Sequence, residues 1–507
     1  MSVPPAPSES SLIQRLAGID LRSLAAFRIG LGGILLWDLI TSLSSAGALY
    51  SEAGTMQVAV AEQLRESPWI VSLHSLSGSA AWQVALIIFQ IAAAVCLLIG
   101  WRTQLATVVS WALLCSLQAR NPVVLHGGDV VLRMMLFWSL FLPLGARWSL
   151  DETQGRRSCF AARGRVFVAA SLALLFQTAM IYWFTAVLKS GNPWTRDGTA
   201  IYYALSADQF VKTPGLWLLG FPQLCHILTF CVWWLEIIGP FLAFIPWRLA
   251  WWRVAVVGAF WTLHLGLALC LRLGPFPWVM MVAWIPFLPA AFWDWICRTK
   301  EPCLSPSEPG LVHRWMLHGA AQAFALGCLT YVLLWNLRTT NRERWEGVFP
   351  MALNPFGFAL RIDQYWALFA PKPLTEDGWL VLEAVQNDGS KIDLIREGRP
   401  ASYEKPELIS AEFRDYKWQK MEINLYLAQY EKVREPFCRY LVADWDARQP
   451  PDRRIGSWSL IYMRELTLPH YFAVKPQKVE LCRSGQSQGG GAPSVDGLQP
   501  AEHVPSR

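Results

Sequence analysis

Apolar runs of bilayer-crossing length follow one another through the first two thirds of this chain. They fall at roughly 23–43, 81–99, 103–118, 130–145, 166–187, 223–245, 250–271, 275–296 and 315–337. About 20 helical residues match the hydrocarbon thickness, and in lipid every backbone N–H and C=O must be bonded within the protein. The expected architecture is therefore an all-α polytopic membrane bundle of about nine helices, with eight to ten allowed. The latitude comes from two links, Gly100-Trp101-Arg102 and Arg272 to Pro275, short enough to make hairpins or re-entrant segments.

Composition agrees. Of 507 residues 53% are hydrophobic and 16% charged, and mean hydropathy is +0.28, as in a membrane protein with a soluble appendage. The net charge of +6 is spread over short loops, so the chain carries no nucleic-acid signature. It has no Gly-rich phosphate loop, HExxH helix or CxxC pair. The histidines lie far apart without a thiolate or paired carboxylate at ligand spacing, so no metal is expected. Most cysteines (Cys96, Cys115, Cys225, Cys231, Cys270, Cys328) sit in apolar runs as small core residues. Cys438 and Cys482 lie in the polar C-terminal part, where an oxidising compartment would permit a disulfide.

Charge asymmetry orients the bundle. With the N-terminus in the cytoplasm, the inside segments carry Arg15, Arg22, Arg102, Arg147, Arg156, Arg157, Arg163, Arg165, Arg248, Arg253, Arg298, Lys300 and Arg314. The outside segments carry only Arg65, Arg120, Lys189, Arg196, Lys212 and Arg272, the bias of a positive-inside protein. The divisions read as a cytoplasmic polar tail over 1–21, a membrane domain over 22–300 and a final span within 301–337. An extracytoplasmic α+β module over 338–480 and a disordered Gly/Ser/Pro-rich tail over 481–507 follow. The run after the first tail lacks a small-residue cleavage site, so a retained span is expected rather than a signal peptide. In the module, WLVLEAVQNDGSKIDLI alternates around Asn387-Asp388-Gly389, a hairpin signal. Residues near 411–433 read as an amphipathic helix and those near 457–468 as another strand.

Charged groups inside apolar runs are costly and mark ion pairs or function. Arg28 and Asp38 in the first run, and Asp129 and Arg133 in the fourth, read as structural ion pairs locking helices together. Glu236 has no local partner and must find one across helices, meet water or be protonated. Lys189 closes FQTAMIYWFTAVLK. A lysine at a helix end ordinarily snorkels to the headgroups, but near a dry cavity it loses its proton easily and becomes a candidate base. Desolvation by Trp183 and Trp194, and the like charge of Arg196, would act in that direction. Asn121 and His126 between the third and fourth runs, Trp194 after the fifth and His264 near the end of the seventh are assigned to the same rim. Such a set suits proton transfer with an amphipathic aromatic substrate arriving through the lipid.

Several of these segments resemble one family. SLAAFRIGLGGILLWDLI, LLIGWRTQLATVV and RNPVVLHGGDVVLRMMLFWSLFLPLGARWSLD, in that order, resemble the horizontally transferred transmembrane (HTTM) domain. That domain is the membrane part of vitamin K-dependent γ-glutamyl carboxylase and of bacterial relatives. YWFTAVLKSGNPWTRDG is similar to the family's lysine motif, and HLGLALCLRLGPFPWVMMVAWIPFLP to its histidine–Phe-Pro segment. The resemblance covers roughly 20–300. It implies a lysine that deprotonates a reduced quinone, after which oxygen adds and the strong base so formed removes a proton from an acceptor carbon that captures carbon dioxide. On this chain it implies Lys189, His264 and His126 as catalytic residues and Asn121, Trp194 and Glu236 as quinone-binding ones. Leu188 stands where the carboxylase has a second lysine, and its Asn-His pair is split here into Asn121 and His126. The C-terminal module is shorter than the carboxylase's and unlike it, and its motif RIDQYWALFAPKP recurs in bacterial HTTM proteins.

Together these features lead to an expected integral membrane enzyme, in a bacterial inner membrane, that uses a lysine base to activate a reduced quinone of vitamin K type with oxygen. The acceptor would be a protein or peptide outside the membrane. The alternative is a non-catalytic membrane scaffold or partner-binding protein that keeps the fold. A transporter fits less well, because there is no inverted repeat or broken-helix pattern.

Overall fold

The structure, a computed structural model, describes residues 12–155, 164–246, 249–298, 319–468 and 474–485. Arg156, Arg157, Arg163, Arg248, Lys300 and Arg314, invoked for orientation, lie outside the described residues, as do 1–11 and 486–507 of the two tails.

Among the described residues, ten helices of eight residues or more build the membrane part: α1 (Leu21–Ser44), α2 (Ala80–Ile99), α3 (Thr103–Arg120), α4 (Gly127–Ser139), α5 (Ala169–Leu188), α6 (Pro222–Leu242), α7 (Leu249–Cys270), α8 (Phe276–Trp284), α9 (Ala290–Cys297) and α10 (Gly319–Thr340). Six of them (α1, α2, α5, α6, α7 and α10) are long and apolar enough to cross a membrane, and the bent run through α8 and α9 makes a seventh if it is one broken span. The count of about nine is corrected for three runs. α3 turns Thr107, Ser110, Ser116 and Gln118 into the protein. α4 has 13 residues, about 20 Å, which is too short to span. The run at 275–296 breaks after Phe287, where α9 leaves at 99°, because Pro286 and Pro289 interrupt the helical hydrogen bonds.

After α10 the chain turns back along that helix instead of leaving the bundle. Tyr331, mid-helix, donates to the Leu353 carbonyl (2.9 Å) and accepts from Gly357 N (3.0 Å). Arg338 lies over the rings of Trp335 and Phe349. Residues 361–369 then run without regular structure among the helices, with Ile362 and Trp366 fully buried. Gln364 fixes this segment. Its side-chain oxygen accepts from Gln177 Nε2 and Trp366 Nε1 (both 2.8 Å), and its carbonyl accepts from Trp335 Nε1 (2.8 Å). Gln177 lies about 18 Å before Lys189 along α5, so irregular backbone reaches well into the helix bundle. Enclosure by protein and these hydrogen bonds make that tolerable. The module therefore does not begin cleanly at 338; its first stretch belongs to the bundle.

Beyond Pro371 a five-stranded antiparallel sheet forms from β1 (Glu376–Gln386), β2 (Lys391–Asp393), β3 (Arg399–Pro400), β4 (Ile455–Leu466) and β5 (Gln477–Arg483), in the order β3-β2-β1-β4-β5. The β1–β2 turn falls at Asn387–Ser390, where Gly389 takes φ +86°, as the Asn-Asp-Gly signal requires. The expected helix near 411–433 is broken into α11 (Tyr416–Leu425), capped by Asp415, and α12 (Glu431–Asp446). β5 extends through Leu481-Cys482-Arg483, so these residues are part of the sheet and not of a disordered tail.

α11 docks the module. Trp418 Nε1 donates to Ser45 Oγ (3.1 Å), Asn424 to the Val123 carbonyl (2.7 Å) and Gln419 to the Gln209 carbonyl (2.7 Å).

Candidate functional site

α5 is an almost unbroken apolar helix that ends when Lys189 takes the C-cap position. The turn that follows carries Pro193 at the start of a short helix, Asn192–Thr195. Gly191 brings this turn against the irregular 369–371 backbone. Its N–H donates to the Pro371 carbonyl (3.0 Å), and a Cβ there would lie 2.7 Å from that oxygen. Trp194 Nε1 donates to the Phe369 carbonyl (2.9 Å), which turns the indole face over the Lys189 ammonium, 4.1 Å from Nζ. From α6, Glu236 Oε2 meets Nζ at 2.5 Å. Both side chains are buried, at 3% and 9% exposure. The expected partner of Glu236 across helices is thus Lys189.

Tyr182, two turns before Lys189 on α5, contacts His264 Nε2 of α7 at 2.6 Å and accepts from Trp284 Nε1 at 2.9 Å. The donor of the phenol–Nε2 bond depends on the imidazole tautomer, and one arrangement points the phenol proton to Nε2. A neutral His264 then carries its own proton on Nδ1. Nδ1 is buried and has no partner. Phe260 stacks on Trp284 at 4.2 Å and Phe276 meets His264 edge-on. The two pairs are close enough for Lys189 to act electrostatically on His264 and Glu236 on Tyr182.

The pair Lys189–Glu236 can exist as ammonium and carboxylate or, by one proton shift, as amine and carboxylic acid. Burial favours the neutral form, because two desolvated charges are removed together; the short contact and the indole face favour the charged one. The arrangement can therefore present a free amine without moving net charge out of the bundle.

Asn121 and His126 are not brought to Lys189. Asn121 is fully buried between backbone groups, accepting from Val123 N (3.1 Å) and donating to the Leu49 carbonyl (2.7 Å). His126 caps α4: its Nδ1 accepts from Gly128 N (3.0 Å), while its own N–H donates to Asp129 Oδ2 (2.8 Å). Its ring packs on Tyr416 at 5.6 Å. Phe276 stands between the two clusters, against His264 on one side and Gly128 on the other.

The four charges assigned to structural ion pairs are buried but do not pair with each other. Arg28 donates to the carbonyls of Leu144, Arg147 and Trp148. Asp38 takes Lys417 Nζ at 2.7 Å and the Tyr416 hydroxyl at 2.5 Å. Asp129 serves His126. Arg133 reaches Gln118 and Asp363 (3.2 and 3.0 Å). Arg28 and Asp38 lie ten residues apart on α1, so they face different turns; Asp129 and Arg133 share a face but find better acceptors elsewhere. Arg196 is not among the groups that act on Lys189.

Sequence reasoning missed Tyr182, Trp284, Tyr416, Lys417 and the 361–371 segment as parts of these clusters. Their signals were faint: a tyrosine two turns from the lysine, and a carboxylate on the first span whose nearest cation in that run, Arg28, is ten residues away. Among the described residues, Asp208, Asp377 and Glu465 form the one carboxylate group close enough to hold a cation. Lys405 Nζ already fills that role, at 2.6 Å from Asp208 and 2.7 Å from Glu465.

No family model matches the chain, and no solved structure does. The chain is 31% identical over 120 residues to a Bacillus subtilis (strain 168) protein described as "Uncharacterized protein YitO". The match takes in 22% of this chain and 37% of that protein's length, so the chain spans little more than a third of the curated relative it matches.

Proposed function

We propose that this is a multi-pass membrane enzyme of the HTTM type, related to vitamin K-dependent γ-glutamyl carboxylase, in which Lys189 is a general base toward a reduced quinone. The observation that carries the reading is the buried Lys189–Glu236 pair under Trp194, beside a His264 whose buried Nδ1 has no partner. Glu236 Oε2 receives the lysine proton, and Lys189 Nζ becomes the proton acceptor. His264, fixed by Tyr182 and Trp284, supplies one hydrogen-bond donor to a ligand oxygen. Thr185 Oγ and the indole N–H groups of Trp183 and Trp233 are also buried without partners. Such a set suits a flat aromatic molecule with oxygen at its ends, and these residues would hold it. When bound, a reduced quinone of vitamin K type supplies the electrons for oxygen chemistry. The Trp-lined, water-poor surroundings keep the amine from being reprotonated.

In this reading the N-terminus is cytoplasmic, in a bacterial inner membrane. The sheet module faces outward, where a protein or peptide acceptor would meet it. The test uses purified protein in lipid with reduced menaquinone or phylloquinone. Oxygen uptake and quinone epoxide formation are expected from wild type and not from Lys189→Ala. Full turnover by Lys189→Ala would remove the base assignment.

A non-catalytic scaffold draws on the same ion pair, because a lysine already paired with a carboxylate also locks two helices. That reading expects no oxygen uptake and no quinone binding by either protein.

A further inference from the structure

Two cysteines far apart in the chain meet in the C-terminal module. Helix α12 lies across β4 and β5. Its Cys438 is fully buried in the core, and Cys482 of β5 packs half-buried against the same cluster. Both are free thiols here, and they lie close enough for each to act on the other. β5 is the edge strand of the sheet, paired only with β4. An edge strand held on one side is the part of a sheet most prone to fray or to pair wrongly. Cys225 of α6 and Cys270 of α7 also share a cluster, but no hydrogen bond joins them among the described residues.

We infer that Cys438 and Cys482 form a disulfide that ties edge strand β5 to helix α12 once the module reaches an oxidising compartment. The inference rests on the outward placement of the module in the proposed topology. The co-reactant is the disulfide of a thiol–disulfide oxidoreductase. Cys482, the more accessible sulfur, attacks that disulfide as a thiolate and forms a mixed disulfide, releasing one donor thiol. Cys438 gives up its proton and attacks the Cys482 sulfur, which expels the second donor thiol. Two S–H bonds are lost and one S–S bond is made, and the two electrons and two protons end on the donor's thiols. Acid–base properties fit this order. Burial holds the Cys438 thiol well above its usual range, whereas the neighbouring Cys438 thiol, with Arg434 nearby, draws the Cys482 thiol down. Cys482 is the better first nucleophile.

The experiment uses the full chain in its native membrane. Free thiols are trapped with N-ethylmaleimide before solubilisation and the peptides are mapped with and without reductant. A linked Cys438–Cys482 peptide that disappears on reduction is expected, with Cys438→Ser or Cys482→Ser freeing the other thiol for alkylation. Alkylation of both cysteines in wild type, without reductant, overturns the disulfide. A second reporter separates this from the topology: Asp388→Cys, in the exposed β1–β2 turn, is probed with a membrane-impermeant maleimide. Labelled turn and free thiols leave the outward orientation standing and remove the disulfide. A shielded turn with the linked peptide present keeps the disulfide and removes the orientation.

Discussion

The Lys189 ammonium and the Glu236 carboxylate stand 2.5 Å apart, both buried, and join the end of α5 to the middle of α6. Neither charge has another strong partner, so each depends on the other. Removing one leaves a buried charge without compensation, at about 3–5 kcal/mol, whereas replacing both by apolar groups is close to neutral. Lys189→Met and Glu236→Leu are each expected to lower the unfolding temperature in detergent, and the double variant to recover most of the loss. Additive losses in the double-mutant cycle would show that the two groups are not coupled.

Asp38 and Lys417 form the corresponding tie between the first membrane helix and the module, at 2.7 Å with both side chains under 4% exposed. Tyr416 alone cannot neutralise the carboxylate. Lys417→Ala should cost about 3–5 kcal/mol and loosen α11 from the bundle. Hydrogen exchange should rise in 416–425 and at the end of α1 while the sheet stays protected. Unchanged exchange in α11 would mean that Trp418 and Asn424 suffice to dock the module.

Gln364 anchors the irregular segment within the bundle. Gln364→Leu leaves the Gln177 amide and the Trp366 indole without their shared acceptor, each worth about 1–3 kcal/mol when buried. Gln364→Glu, which keeps an acceptor, should be milder if the acid is protonated. Limited proteolysis in detergent is expected to cut the Leu variant within 361–371 and spare wild type. Equal resistance would show that packing of Ile362 and Trp366 is enough.

Burial pushes Asp377 up to about 7, with Asp208 and Glu465 adding to it. Its unfolded value is about 3.9, so between about pH 4 and 7 the folded module keeps a proton that the unfolded chain has released. Stability from this group is full below the unfolded value and is lost as pH rises through the folded one. Asp377→Asn keeps an oxygen for the Asp208 N–H (2.5 Å). It should match wild type near pH 4 and exceed it at pH 8 by on the order of 1–3 kcal/mol. Glu422, pushed up to about 8, and Asp393, to about 6, act in the same sense in both proteins, so the difference between the two curves is the quantity to read. Curves that run parallel from pH 4 to 8 would refute the assignment.

The order of apolar runs, the hairpin at Asn387–Gly389 and the strand through 455–466 were legible in the residues, because hydrophobic length and turn chemistry are local properties. So was the need for Glu236 to find a partner across helices. What the sequence could not decide is which charges meet. Asp38 finds a lysine hundreds of residues away, and Arg133 leaves its neighbour Asp129 for Asp363, since a buried charge takes whichever partner the fold brings within hydrogen-bonding distance. The re-entrant path of 361–371 was equally hidden: those residues read as part of a module outside the membrane, and only enclosure by α5, α4 and α10 gives their backbone the partners that lipid would deny. Lys189 itself stood out in the chain, but its surroundings, with Glu236 on Nζ, Trp194 over it and the Tyr182–His264 pair alongside, are set by helix packing and by a segment after α10 that dips into the bundle and comes back to the lysine.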